Sequence, residues 1–239
     1  MFIGHYALGF AAKRLVPRTS LGTLTAAPTL ADLLWPVFLL LGWERVTIVP
    51  AANPFLVLTF DAYPISHSLL TLVGWGLLFA GLYRMRTGYA RGALVVLLLV
   101  VSHWVLDWVT HRPDMPLYPG GPKVGLGLWN SEAGTVIVET VMFVAGAALY
   151  LAATRARDRI GRYGLWGFLA FLLLSYAASL FSPPPPSPRP LAIGAIVFGW
   201  LFVAWAGWVD GHRDVAVPGT ALPATALPGK ASPGTTPPR

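Results

Sequence analysis

The chain has 239 residues, of which 55% are hydrophobic and only 11% are charged, and it carries a formal net charge of +7. So few polar side chains cannot cover a globule of this size, which excludes an ordinary water-soluble domain. The positive charge does not indicate nucleic-acid binding either, because the basic residues lie between apolar segments and not on one polar face. The composition therefore predicts an all-α, polytopic transmembrane helical bundle in the lipid bilayer.

Six segments are long and apolar enough to cross a bilayer, which takes roughly 20 residues. They are residues 21–43, 65–85, 91–111, 133–154, 164–182 and 191–209. An earlier segment, residues 1–16, is apolar but short, so it is expected either to span barely as a seventh helix or to lie partly in the interface. We therefore predict six to seven membrane helices in one domain, residues 1–211.

Basic residues occur in every second connection along the chain. They follow the segments 1–16, 65–85 and 133–154, and they recur in the tail. This is the positive-inside pattern, which sets the topology of a membrane protein. If residues 1–16 count as a crossing, the N-terminus lies outside and the C-terminus in the cytoplasm.

The segment 21–43 contains an acid between two prolines. Pro28 and Pro36 flank Asp32, and a proline inside a helix removes a backbone hydrogen bond and kinks the axis. Broken helices at membrane depth usually border a cavity or other protein. Because a carboxylate in hydrocarbon costs about 2.5 kcal/mol or more, Asp32 is expected to have a partner or a wet pocket.

The segment 91–111 ends in the most informative stretch of the sequence. His103 and Asp107 are four residues apart and so share one helix face. His111 continues that row before Pro113 ends the helix. Imidazole and carboxylate are common zinc ligands, and this spacing lets two side chains hold one ion. We therefore predict that His103 and Asp107 bind a metal, with His111 serving the same or a neighbouring ion.

The predicted topology brings other histidines to the same outer end of the bundle. His5 lies near the N-terminus, and His67 opens the segment 65–85 from the outer side. Of the five histidines, only His212 lies elsewhere. No ionisable residue is expected in the inner halves of the segments, and Asp210 and His212 are interpreted as simply ending the last helix.

Each of these residues also has an interpretation that involves no metal. A single membrane histidine often only forms a hydrogen bond between helices. Glu132 is equally well explained as an acid at a helix N-terminus, where the helix dipole favours it. Glu139 lies deeper and is harder to explain in this way. Arg112 either extends its charge to the membrane surface or clamps an anionic group next to a metal.

Several motifs resemble those of the predicted membrane-bound metal-dependent hydrolases, a family of bacterial inner-membrane proteins. They are Phe2-Ile-Gly-His5-Tyr6, Asp32 between Pro28 and Pro36, Ser66-His67-Ser68, and Ser102-His103-x-x-x-Asp107. The order of these residues is also similar to that in zinc-dependent bacterial phospholipases C, which are helical phosphodiesterases with a multi-zinc site. That similarity implies one or two zinc ions held by His5, Asp32, His67, His103, Asp107 and His111.

The chain departs from both patterns. It lacks the late His-x-x-x-Glu pair of the phospholipases, and Ala31 and Leu33 stand near Asp32 where the membrane family commonly has further acids. Both departures bear on the number of metal ions. Fold-level similarity does not by itself identify a substrate.

The leading hypothesis is a membrane-embedded metal-dependent hydrolase that acts on an amphiphilic phosphoester or lipid-linked substrate at the extracytoplasmic side. Asp107, His111 and Arg112 are the predicted catalytic residues, and water activated by zinc is the predicted nucleophile. The alternative is a proton- or cation-coupled transporter or channel that uses the same polar residues. Clustering at one end favours the enzyme, because a transport path should continue to the other side.

Residues 212–239 differ from the rest of the chain. They are rich in Pro, Ala and Thr and show no apolar periodicity. Such a composition cannot form a packed core, which predicts a disordered cytoplasmic tail.

Overall fold

A computed structural model describes residues 1–216 of the chain. Within these residues the chain is mainly helical, as the composition predicts, and three short two-stranded ladders join the helices. The α-helices are α1 (Ile3–Ala12), α2 (Leu21–Ala26), α3 (Leu30–Leu40), α4 (Pro64–His67), α5 (Leu69–Thr87), α6 (Ala90–Thr110), α7 (Glu132–Ala153), α8 (Leu165–Phe181) and α9 (Pro188–Asp210). A π-helical turn, Ile160–Gly164, precedes α8 directly.

Four of the described helices are long and apolar enough to cross a membrane. They are α6, α7, α8 together with its π-helical turn, and α9. The segment 21–43 is not one helix, because the chain breaks around Pro28 into α2 and α3, whereas Pro36 lies inside α3. The 19-residue α5 ends in a polar turn with Arg84 and Arg86 and is not among the four. The predicted count of six to seven spans is therefore not confirmed.

Helix α1 lies inside the bundle. It has 10 residues, and at 1.5 Å per residue it is only about 15 Å long. It packs mainly against α7 and α2. Two glycines allow close contact, because a Cβ atom at Gly146 would collide with the carbonyl oxygen of Ala7, and one at Gly9 with that of Leu24. Burial on all sides explains why the sequence gives this helix no polar face.

Local signals set the ends of the helices that carry the polar residues. The Ser68 side chain accepts a hydrogen bond from the Thr71 backbone N–H and so begins α5. Gly88, at φ 67°, ends it, in the left-handed conformation that glycine adopts without strain. Helix α6 contacts both α1 and α3, and α4 contacts α3 and α5, so that residues from α1, α3, α4 and α6 can meet at one end of the bundle.

The ladders lie in the connections. They are β1 (Arg45–Ile48) with β2 (Leu58–Ala62), β3 (Met115–Pro116) with β4 (Lys123–Val124), and β5 (Thr154–Ala156) with β6 (Arg213–Val215), all antiparallel. Strand β6 corrects part of the predicted disordered tail, because residues 213–215 pair with the chain that follows α7. The rest of that prediction, residues 217–239, lies outside the described residues.

A group of buried polar side chains connects several helices at the C-terminal end of α1. The Lys13 ammonium lies 2.7 Å from Asp210 Oδ2, and the Tyr150 hydroxyl donates to Asp210 Oδ1 at 2.8 Å. The backbone N–H of Leu21 donates to the same carboxylate at 3.0 Å. Asp210 is thus more than a helix end, and the end of the bundle that the sequence predicted to be free of ionisable residues contains a buried ion pair. We call Lys13, Tyr150 and Asp210 the polar clamp.

Candidate metal centre

Asp107 lies at the centre of the polar residues that the sequence singled out. It sits one turn before the end of α6 and is almost completely buried. Its Oδ1 lies 3.1 Å from His5 Nε2, and its Oδ2 lies 3.1 Å from His103 Nε2. The amino nitrogen of Met1 is also near, 2.6 Å from Oδ1. One carboxylate therefore faces two different histidines with its two oxygens.

A second group of potential ligands shares His103 with the first. His67 Nε2 lies 3.6 Å from Asp32 Oδ1, and His103 Nε2 lies 4.0 Å from the same oxygen. In each of the two groups, His5 with His103 and Asp107, and Asp32 with His67 and His103, the ligand atoms all lie within 4.8 Å of one another. We call these five residues the histidine–carboxylate cluster, and its geometry is able to hold a metal ion.

Outer partners fix which ring nitrogen carries the hydrogen in two of the three cluster histidines, His67 and His103, whereas His5 Nδ1 is buried without a partner among the described residues. His103 Nδ1 lies 2.8 Å from the carbonyl oxygen of Pro28, which can only accept, so Nδ1 is the donor. Ser66 Oγ lies 2.6 Å from the Glu44 carboxylate and 2.7 Å from His67 Nδ1. Because the serine has one hydrogen and the carboxylate needs it, the His67 Nδ1–H must donate to Ser66. In the neutral form of each ring, the Nε2 lone pair then points towards the carboxylates.

This arrangement matches the surroundings of metal-binding histidines. Such a histidine almost always donates its outer N–H to a carbonyl, a carboxylate or water, and this orients the ring. Because Nδ1 is the donor, His103 Nε2 is a completely buried acceptor that faces a second acceptor, Asp107 Oδ2, at 3.1 Å, and it has no hydrogen-bond donor among the described residues. A buried polar atom without a partner costs about 1–3 kcal/mol. A cation held between His103 and the carboxylates would remove this cost.

His111 lies at the edge of the cluster. Its Nε2 is 3.7 Å from Asp107 Oδ2, but it belongs to neither ligand group. Its Nδ1 is 2.9 Å from Asp114 Oδ1, and its ring packs 4.0 Å from the ring of Trp129. Burial lowers the pKa of His111, although the hydrogen bond to Asp114 opposes this effect. The neutral ring thus keeps an Nε2 lone pair next to the predicted ligands.

The other predicted residues lie outside the ligand groups. The partly buried Arg112 side chain makes no hydrogen bond or ion pair with the cluster within residues 1–216. Glu132 is exposed in the first turn of α7, as expected of an acid placed by the helix dipole. Glu139 is buried and accepts the backbone N–H groups of Phe2 and Gly4 at 2.8 and 3.1 Å. It therefore holds the start of α1 and positions His5.

Sequence reasoning missed the residues that orient the histidines. Glu44 accepts the backbone N–H groups of Ile65 and Ser66, both at 2.8 Å, in addition to the Ser66 hydroxyl. Asp114 accepts from Tyr63 at 3.0 Å as well as from His111. Burial and the charge of Asp114 raise the pKa of Tyr63, so this phenol stays a donor. The only sequence signals were a serine directly before His67 and an acid three residues after His111.

The comparisons with known proteins give one match. A family model described as "YdjM inner membrane protein" matches residues 1–185. This range contains both candidate ligand groups, the residues that orient them, and three of the four candidate membrane spans. No curated protein and no solved structure matches the chain.

Proposed function

Because the chain belongs to the YdjM inner membrane protein family and is a multi-pass protein of the bacterial inner membrane, we propose that it is a membrane-embedded, metal-dependent hydrolase. The observation that carries the proposal is the convergence of His5, His67 and His103 on two carboxylates. The proposed substrates are phosphoesters or lipid-linked compounds. The proposed location of the site is the extracytoplasmic side, with the C-terminus in the cytoplasm, as the positions of the basic residues favour.

The ligand groups favour one ion or two ions that share a carboxylate. A neutral imidazole Nε2 offers a single lone pair, so His103 can bind only one ion. Asp107 offers two oxygens that face different histidines, which suits a bridging ligand between two ions. We assign His5, His103 and Asp107 to one ion, and Asp32 and His67 to the same ion or to a second one.

Zinc is the proposed ion because the set contains only imidazole and carboxylate donors. Bound zinc supplies a water of pKa near 7 and a Lewis acid for a phosphoryl or carbonyl oxygen.

His111 and Arg112 are the proposed catalytic residues outside the ligand groups. His111 Nε2, 3.7 Å from Asp107 Oδ2, is placed to take a proton. Asp114 would then stabilise the imidazolium through Nδ1–H, as the aspartate does in a serine protease triad. Arg112 follows His111 directly and is partly exposed, so its guanidinium can meet an anionic group of the substrate.

Elemental analysis of the purified protein tests the metal assignment. We expect stoichiometric zinc in the wild-type protein and its loss in the variant His103→Ala. His212→Ala is the matched control, because His212 pairs with Asp158 outside the cluster and should leave the zinc content unchanged. Equal zinc in both variants would overturn the assignment. Assays with phosphodiester and lipid substrates then test for hydrolysis, which should also fail in His103→Ala.

The transporter alternative uses the same residues but requires a path across the bundle. At the other end of α1 the buried ionisable groups Lys13 and Asp210 belong to the polar clamp, where the Asp210 carboxylate already accepts three hydrogen bonds from within the protein. This argues against the alternative. Proton or cation uptake by proteoliposomes that is abolished in His103→Ala would favour it over hydrolysis.

A further inference from the structure

A largely apolar cavity of about 710 Å³ runs beside the histidine–carboxylate cluster. It lies between α1 and α3 on one side and α8 and α9 on the other. This volume is within the range of roughly 300–1,000 Å³ that is common for small-molecule sites. We call it the apolar groove. Its apolar walls include Phe2, Leu33, Trp35, Leu191, Phe198 and Phe202.

Small residues on two neighbouring helices create the space. Ser175, Ala178 and Ser179 line the groove from α8, and Gly194 and Ala195 line it from α9. A Cβ atom at Gly194 would meet no atom within 4 Å. Close packing between α8 and α9 would need larger or interlocking side chains at these positions, so the groove stays open along their contact.

The groove is continuous with the cluster at Asp32. This residue lines the groove, and its side chain is 46% exposed, whereas the side chains of His67, His103 and Asp107 are nearly or completely buried. Its Oδ1 lies 4.0 Å from the unpartnered His103 Nε2. A molecule in the groove would therefore meet the cluster through Asp32.

The groove's surroundings decide which molecule fits. Helices α8 and α9 are both apolar enough to span the membrane, so the medium beside them is lipid hydrocarbon. A hydrocarbon chain can move from the bilayer into the apolar groove at no desolvation cost, because it is not hydrated in the bilayer. A small water-soluble substrate would have to leave its hydration shell to enter the same space.

We infer that the apolar groove holds the hydrocarbon chain of an amphiphilic membrane lipid, with the lipid's polar end at Asp32. The binding of the lipid's hydrocarbon chain is inferred from the groove alone, whereas cleavage of the lipid next to its polar end rests on the proposed function. The inference narrows the substrate class to molecules with a long chain attached to the group that is hydrolysed.

Photolabelling of the full-length protein in detergent micelles tests the inference. The probe is a phospholipid with a photoreactive diazirine near the end of one acyl chain, and labelled peptides are mapped by mass spectrometry. We expect labels on the α8 and α9 residues that line the groove. Gly194→Leu should lower this labelling about fivefold or more, because an added side chain in an occupied space is poorly tolerated.

The matched control is Gly74→Leu in α5, because a Cβ atom at Gly74 also meets nothing within 4 Å but lies outside the groove. It should leave the labelling unchanged. If Gly194→Leu does not fold, Ala195→Leu fills the same groove and should have the same effect. Labels spread evenly over the bundle and unaffected by these variants would overturn the inference.

Zinc content measured on the same samples separates the two proposals. Groove labelling in a protein without zinc would support the lipid site and contradict the proposed function. Stoichiometric zinc without groove labelling would overturn the lipid site and leave the metal assignment in place.

Discussion

The bundle contains two buried polar regions about eight residues apart along α1, and they use their hydrogen-bonding capacity differently. In the polar clamp, Asp210 accepts from Lys13, Tyr150 and the Leu21 backbone. In the histidine–carboxylate cluster, His103 Nε2 has no hydrogen-bond partner, and Asp32 is half exposed to a groove.

Each region holds a buried ion pair, Lys13 with Asp210 in the clamp and the Met1 amino group with Asp107 in the cluster, which offsets part of the desolvation cost. Within the described part of the chain, only the cluster also contains a buried acceptor without a donor, His103 Nε2. The presence of an ionisable residue inside a membrane bundle therefore does not by itself indicate a binding site. Donors and acceptors that have no partner in the protein are the better indication. The clamp is a stabilising contact between helices, and the cluster is a candidate for binding something else.

The largest expected effect comes from removing the central carboxylate of the cluster. Asp107→Asn deletes a ligand and the negative charge that faces His5 and His103. If a zinc site of about three ligands contributes about 10–16 kcal/mol, losing one should cost roughly 4 kcal/mol, or about a thousandfold in affinity. Zinc titration with a competing chelator measures this. Asp158→Asn is the control, because Asp158 also pairs with a histidine, and equal affinity in the two variants would contradict the proposed site.

The same substitution in the clamp should affect stability instead of metal binding. Asp210→Asn leaves the buried ammonium of Lys13 without its counter-charge, and breaking a buried pair in this way costs about 3 kcal/mol. Thermal or denaturant unfolding in micelles should show the loss, with the zinc content of the folded fraction unchanged. Zinc loss in Asp210→Asn at full stability would remove the distinction between the two regions.

The sequence predicted which residues would meet but not how they are held. Their convergence could be predicted from the four-residue spacing of His103 and Asp107 and from the positions of His5, His67 and Asp32. Helix periodicity and the alternation of basic connections both follow from the order of the residues. The role of these residues as ligands stays a prediction. Glu44 could not be identified, because its contacts with Ile65 and Ser66 join two segments about 20 residues apart and depend on the path of the chain between α3 and α4.

The placement of α1 was also beyond the sequence. An apolar segment of this length fits a marginal span, an interfacial helix or a buried core helix equally well. The close approach of Ala7 to Gly146 and of Leu24 to Gly9 decides for the core. Such contacts between distant segments have no local signal, since glycine in a membrane helix is common.

Ser66→Ala tests whether the outer partners belong to the cluster. The change removes the acceptor that orients His67 through Nδ1, so zinc affinity should fall about 10- to 100-fold. Ser20→Ala is the matched control, because Ser20 caps α2 and its loss should cost about 1 kcal/mol of stability without changing zinc affinity. If Ser66→Ala lowered stability but left zinc affinity unchanged, Ser66 would serve only the fold.

The smallest effect is expected from a substitution of Glu132, which tests whether the cluster ends before the surface of α7. Glu132 is exposed in the first turn of α7, where an acid interacts favourably with the helix dipole. Glu132→Gln should therefore cost only about 0.3–1 kcal/mol in unfolding measurements and leave zinc binding unchanged.

Glu139→Gln provides the comparison, because Glu139 is buried, accepts two backbone N–H groups at the start of α1 and positions His5. It should lower both stability and zinc affinity, since hydrogen bonds to a charged group are worth about 1.5–3 kcal/mol. A zinc defect in Glu132→Gln would extend the cluster to the surface of α7 and contradict the dipole explanation.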